Sequence, residues 1–223
     1  MAIDFGAVAV FAFLAKWDLD KQSELNQKVE EKIEKKKEQK KVAAGMKERE
    51  QQLANLQLNI QVSTDGDIKE AAIRDLQGGA KQHMIIVAGP RKACRDALVG
   101  ANLMKMNFAM KNVLVVPFDI DETATPLDTG GGSGFGERPV YETQPYVARP
   151  AGDKSAWREY IESEMNDAVA QNGEKARQEG IAIVVANSGK IIRRGVGKVP
   201  WRQMVEELEQ TVSGESTKSN SFF

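Results

Sequence analysis

The chain is poor in the residues that most catalytic centres need. Of its 223 residues, one is cysteine (Cys94) and one is histidine (His83). A lone cysteine closes no internal disulfide, which excludes a stapled secreted module. A lone histidine excludes most zinc and haem sites, and every His-paired nucleophile that does not use His83 itself. Aromatic residues make up only 6%, which disfavours a base-stacking surface. An excess of charge is missing too: 31 Lys and Arg against 32 Asp and Glu give a net charge of −1. No bulk attraction to nucleic acid follows from that balance, and no nucleic-acid partner is expected. The remainder, 41% hydrophobic and 28% charged, is an ordinary folded composition of one domain plus extensions.

The first apolar run, Phe5–Ala15, has no polar side chain. As a helix, Ile3–Trp17 measures about 22 Å at 1.5 Å per residue, against about 30 Å of bilayer hydrocarbon. Asp4 and Lys16–Trp17–Asp18 resemble interface boundaries. No basic region precedes the run and no good small-residue cleavage site follows it, so it is not a secretory signal. A buried core helix is the competing reading. Residues 1–17 are expected to be a membrane-anchor helix, the C-terminal part of a longer one. Residues 18–52 read as a charged linker helix: Leu25, Val29 and Ile33 form a narrow stripe, and Glu24–Lys28 and Glu31–Lys35 pair in the favourable order. A lysine-rich segment just after a membrane helix belongs on the cytoplasmic side or its plastid equivalent, the stroma. Residues 213–223, SGESTKSNSFF, read as a flexible polar tail.

Residues 53–212 carry the pattern of a mixed domain. Leu56–Val62, LQLNIQV, alternates as a half-buried strand. Ile68–Leu76 reads as a short helix ended by Gly78–Gly79. Met84–Ala88, MIIVA, is an apolar run of the kind buried on both faces. Gly89–Pro90 breaks it, Arg91–Lys111 reads as one helix, and Val113–Phe118 is a second buried strand. That is a right-handed β-α-β unit. Residues 121–150 hold four of the seven prolines and the run GGGSGFGERP, a long loop of the kind that often carries function. Trp157–Ala170 is an amphipathic helix capped by Asp153 or Ser155. Ile181–Ala186, a turn at Asn187–Lys190 and Lys190–Val196 form a hairpin; Val199–Glu209 closes the domain as a helix, with Pro200 near its first turn. A β-α-β half followed by strand–turn–strand–helix is the thioredoxin-like order.

Dithiol chemistry on such a fold needs two cysteines at the helix that follows the first buried strand. The matching stretch, AGPRKACRD, holds Cys94 alone. No proline stands just before the IAIVVA strand, where redox thioredoxins place a cis-proline. Arg91, Lys92, Arg95 and the helix N-terminus are expected to lower the Cys94 pKa. That leaves a one-cysteine redox role open beside the reading of Cys94 as a small buried hydrophobe. The phosphate-cradling G-x-x-x-x-G-K-[ST] pattern is absent, and GGGSGFG follows no strand. His83 is either a ligand or a partly exposed residue at a strand edge. Asp119, Asp121 and Glu122 follow a strand end, where sites often lie, but without histidine partners they read as an acidic turn. Lys190, Arg193, Arg194 and Lys198 form a local basic patch suited to an acidic partner surface or anionic lipid. No catalytic residue, metal or cofactor is expected.

Several of these residues together resemble a known family. They are Val62–Thr64 at a strand end, Arg74–Leu76, Ile85–Gly89 as I-x-x-A-G, and Gly189–Trp201 as Gly-x-x-x-Arg-x-Gly-x-Gly-x-x-x-Trp. Over roughly Leu53–Glu209 the chain resembles the C-terminal domain of the Low Photosystem II Accumulation family. The resemblance implies a thylakoid membrane protein with its main domain in the stroma, serving photosystem II assembly or repair. It also accounts for the apolar N-terminus, because family members carry transmembrane helices just before this domain. Two features depart from the pattern: the tetratricopeptide region of plant and green-algal members is missing, and one partial membrane helix stands where two are usual. The implied partners are photosystem core or antenna proteins and the thylakoid membrane of the chloroplast. Phe135, Tyr141 and Tyr146 are expected to supply exposed aromatic contact area, and Arg193 and Arg194 to orient the partner. A permanent subunit of a photosystem–antenna supercomplex is the alternative to an assembly factor, and a Cys94 redox protein is the second alternative.

Overall fold

A computed structural model of the chain describes residues 2–62, 67–121 and 144–212. The tail 213–223, most of the Gly/Pro-rich loop, Phe135 and Tyr141 lie outside the described residues. The chain divides into two compact units, Met1–Glu48 and Arg49–Phe223.

The first unit is helical. One helix, α1, runs unbroken over Ala2–Asn55, where the sequence suggested separate helices over 1–17 and 18–52. Nothing in the sequence stops it: the first proline is Pro90, and Glu–Lys pairs one turn apart favour continuation. Val29 and Ile33 are solvent-exposed, and the Lys21 ammonium lies 4.4 Å from the Trp17 ring centroid. Among the described residues, no helix is long and apolar enough to cross a membrane.

The second unit begins with the last two turns of α1. Its elements are β1 (Gln57–Gln61), β2 (Ile68–Ala72), α2 (Ile73–Gly79), β3 (His83–Gly89), α3 (Arg91–Asn102), α4 (Lys105–Met110), β4 (Val113–Asp119), β5 (Arg149–Ala151), α5 (Lys154–Asn172), α6 (Lys175–Glu179), β6 (Ile181–Val185), β7 (Ile191–Val196) and α7 (Trp201–Val212). The main sheet has the order β4-β3-β6-β7. β3 and β4 are parallel, with Met84 opposite Leu114, whereas β6 is antiparallel to both β3 and β7. The outer side of β4 is covered by main chain: Val115 N–H donates to the Tyr146 carbonyl at 2.8 Å, and Ala148 N–H to the Val115 carbonyl at 2.9 Å.

Strand alternation divides the core between the two faces of this sheet. Met84, Ile86, Leu114, Val116, Ile181 and Ile183 pack on one face with Trp157, Ile161 and Met165 of α5. Ile85, Val87, Val113, Val115, Ala182 and Val184 pack on the other with α3, Phe108 of α4, and Trp201, Met204 and Leu208 of α7. A parallel β-α-β unit joined to an antiparallel hairpin in this strand order, with α5 on one face and α3 and α7 on the other, is a thioredoxin-like fold.

Three elements differ from the sequence reading. Residues 68–72 form a strand rather than the start of a helix. Lys69, Glu70, Ala71 and Ala72 favour helix intrinsically, but pairing with β1 across Gln61↔Ile68 to Gln57↔Ala72 overrides that preference. The expected helix 91–111 breaks at Leu103–Met104. After the break α4 delivers Phe108 into a ring cluster, 5.1 Å from Tyr146 and 5.6 Å from Trp201. Within the expected loop 121–150, Arg149 begins β5, which pairs with β1 as an edge strand that tolerates Pro150.

Candidate functional site

The only thiol sits where the fold would place a redox nucleophile, and it is buried. α3 turns Cys94 inward, so that Sγ lies 3.3 Å from the Phe118 carbonyl oxygen, 3.5 Å from that of Gly89 and 3.6 Å from that of Val87. Burial, and then the Asp119 carboxylate, push the thiol pKa up to about 12. The lowering expected from Arg91, Lys92 and Arg95 is therefore overturned, because desolvation of the buried thiol dominates. Cys94 is expected to resist a thiol-specific reagent at pH 8 in the native chain and to react at once in denaturant. Fast native labelling, followed by absorbance, would overturn the buried-thiol assignment. A pH effect goes with it. The folded pKa lies above the unfolded value near 9.0, so this contribution to stability is complete below pH 9 and is lost as pH rises through about 12. Cys94→Ala should flatten that alkaline slope in urea unfolding.

His83 is buried rather than partly exposed. Its Nδ1 accepts a 3.1 Å hydrogen bond from the Asn187 backbone N–H, and burial holds its pKa below the usual value. The ring is thus neutral and serves the β6–β7 turn. Asp119 Oδ1 accepts the Asp121 N–H at 2.9 Å, which closes the acidic turn on itself. Among the described residues, no group of three His, Cys, Asp or Glu side chains could hold a metal ion.

The basic patch is not assembled as expected, because β7 sends its two arginines to opposite faces. Arg194 turns toward α5, where Nε donates to Glu164 Oε2 at 2.6 Å and Nη2 to Oε1 at 3.0 Å. Glu164 is 1% exposed and is also met by Arg49 at 3.3 Å, which reaches Asp167 at 2.7 Å. Arg193 turns toward α7 and pairs with Glu207. Both arginines therefore pair with carboxylates within the domain. Tyr146 is likewise buried, against Phe108; the expected exposed aromatic at this position is a core residue.

Several of the residues that carry the family resemblance have structural roles. Trp201 is buried and its Nε1 donates to the Ala97 carbonyl at 3.1 Å, across Gly100. Gly197 (φ +82°) donates its N–H to the Gly180 carbonyl at 2.9 Å. Gly89 and Gly180 touch: a Cβ on Gly89 would lie 2.7 Å from the Gly180 Cα. Gly180 occupies the place before β6 where redox thioredoxins carry proline.

Two features escaped the sequence reading. One is the Arg49–Glu164–Arg194 cluster. Its signal is a carboxylate on the buried stripe Trp157–Tyr160–Ile161–Glu164–Ala168 of α5, since a charge there needs a partner. The other is a groove of about 300 Å³ beside α4, lined by Gln82, Lys105, Met106, Phe108, Ala109, Pro145 and Tyr146 among others.

No protein-family model matches the chain, and no curated protein matches it. Solved structures with likeness to it include the reduced 2-Cys peroxiredoxin of Plasmodium vivax, at 10% identity and TM-score 0.44, covering 72% of this chain and 78% of that one. Yeast Sco1 with copper bound is 10% identical at TM-score 0.43, covering 75% and 95%. AhpC of Mycobacterium tuberculosis is 8% identical at TM-score 0.41, covering 75% and 93%. The strand order and helix placement described above define the fold independently of these likenesses.

Proposed function

We propose that this chain is a non-enzymatic thylakoid-membrane protein that binds a photosystem through its stromal thioredoxin-like domain, as an assembly or repair factor of photosystem II. The observation that carries the reading is the family resemblance over Leu53–Glu209, above all the segment Gly189–Trp201. The burial of Cys94, with its thiol pKa raised, supports a binding role over a redox one. The apolar run Phe5–Ala15 followed by a Lys/Glu-rich helix supports anchoring with the domain on the stromal side. In this reading the N-terminal segment inserts in the membrane and the domain supplies protein contacts.

The test is native-gel separation of mildly solubilised thylakoids, with mass spectrometry of every band. An assembly factor appears in small sub-complexes that lack antenna. Constant stoichiometry with the mature photosystem instead makes the chain a permanent structural subunit of a photosystem–antenna supercomplex. Absence from every photosystem band overturns the proposal.

A further inference from the structure

The turn between β6 and β7 is fastened from outside by side chains of three other elements. His83, the first residue of β3, accepts the Asn187 N–H on Nδ1 at 3.1 Å. Gln77 of α2 donates from Nε2 to the Ala186 carbonyl at 3.3 Å. Glu50, near the end of α1, accepts the Ile191 N–H at 3.0 Å. Within the turn, Ala186 N–H donates to the Lys190 carbonyl at 2.8 Å and Gly189 N–H to the Ala186 carbonyl at 2.9 Å. A register shift between Val184 and Val185 separates this tip from the regular ladder of β6 and β7. Residues 186–191 are thus a unit that can open while the rest of the sheet stays paired.

We propose that this tip is an acid-released latch: a proton taken up by His83 Nδ1 expels the Asn187 N–H and opens residues 186–191. His83 is the only imidazole in the chain and is 4% exposed. Because Nδ1 accepts, the neutral ring carries its proton on Nε2. A second proton turns Nδ1 from acceptor into donor, and two N–H groups then point at each other. The new charge also lies in the core, where it needs a partner. The elements around the ring carry Glu50 of α1, Arg74 and Asp75 of α2, Lys81 before β3, Lys111 before β4 and Lys190 in the turn. Arg74 meets Asp75 at 3.7 Å and Lys111 meets Glu209 at 2.7 Å. None of these charges bears on the imidazole, whose pKa is lowered by burial alone. The turn can relieve both penalties by opening, which lets water reach the ring. Opening also loosens Ile191, 7% exposed and paired with Val185, from the end of the sheet.

The experiment follows amide hydrogen exchange of the full chain in mild detergent at pH 7.5 and pH 5.5, each rate divided by its intrinsic value at that pH. An opened ring titrates near the ordinary 6.5, so one pH unit below this the protection of the 186–191 amides should fall about tenfold. Amides of β3 and of β6 before the register shift should keep theirs. His83→Gln, which offers an acceptor that does not titrate, should abolish the fall; Glu50→Gln should retain it. A second readout needs no variant: the carbon resonance of the single imidazole reports ring protonation, and its midpoint should coincide with the opening. Constant protection of residues 186–191 overturns the proposal. So does an equal loss across β3 and β6, which is general acid unfolding. Opening that persists in His83→Gln, or that precedes protonation of the ring, overturns it as well.

Discussion

Replacing Glu164 by alanine is expected to be among the most damaging single changes in the domain, costing about 3 kcal/mol or more in urea unfolding. Removing one partner of a buried ion pair leaves an uncompensated charge, and such losses run to roughly 3–5 kcal/mol. Here the stranded charge is Arg194, whose side chain is 12% exposed. Arg49 keeps Asp167 and suffers less. The double change Glu164→Leu with Arg194→Met removes both charges together and should recover most of the loss, because apolar replacements of buried pairs are often neutral or better. If Glu164→Ala shifts unfolding no more than an exposed Glu174→Ala does, the cluster is solvated and its role here is wrong.

The second large effect is expected at Gly180. Its backbone, at φ +81° and ψ 172°, lies in a region essentially reserved for glycine, and a Cβ there would sit 2.9 Å from the Ala88 carbonyl oxygen. Gly180→Ala should cost about 3 kcal/mol or more, the sum of roughly 1–3 kcal/mol of backbone strain and roughly 1–3 kcal/mol of overpacking. Gly173 separates the two contributions. It has nearly the same backbone, φ 76° and ψ −178°, and open space around its Cβ position. Gly173→Ala should show the strain alone. Equal losses at the two positions would mean that the Gly89–Gly180 approach relaxes and contributes nothing.

Much of the fold was legible in the sequence because three strands announce themselves as apolar runs. MIIVA, VLVVPF and IAIVVA are β3, β4 and β6, and the order of elements around them gives the sheet. β2 was not legible because IKEAA is written in helix-favouring residues and becomes a strand only through its partner β1. The break between α3 and α4 falls at Leu103–Met104, neither of which marks a helix end; the ring cluster of Phe108, Tyr146 and Trp201 draws α4 into its path. The candidate contact residues were the least legible. KIIRRGV looks like a surface strand with a basic face. Only the three-layer packing shows that each arginine meets a helix on its own side, Arg194 with Glu164 and Arg193 with Glu207. Tyr146 misled for the same reason: a residue in a Gly/Pro-rich stretch reads as loop, yet its main chain is bonded to β4.

The cover over β4 has a counterpart at the other end of the sheet, where Glu50 Oε1 accepts the Ile191 N–H of β7 at 3.0 Å. Open strand edges template pairing between neighbouring chains, and proteins suppress this by covering or charging them. In this domain a stretch of main chain blocks one edge, and a carboxylate with two inward-tied arginines guards the other. The same contacts that complete the fold therefore act against edge-to-edge aggregation, a protection that gains in value wherever many copies crowd together.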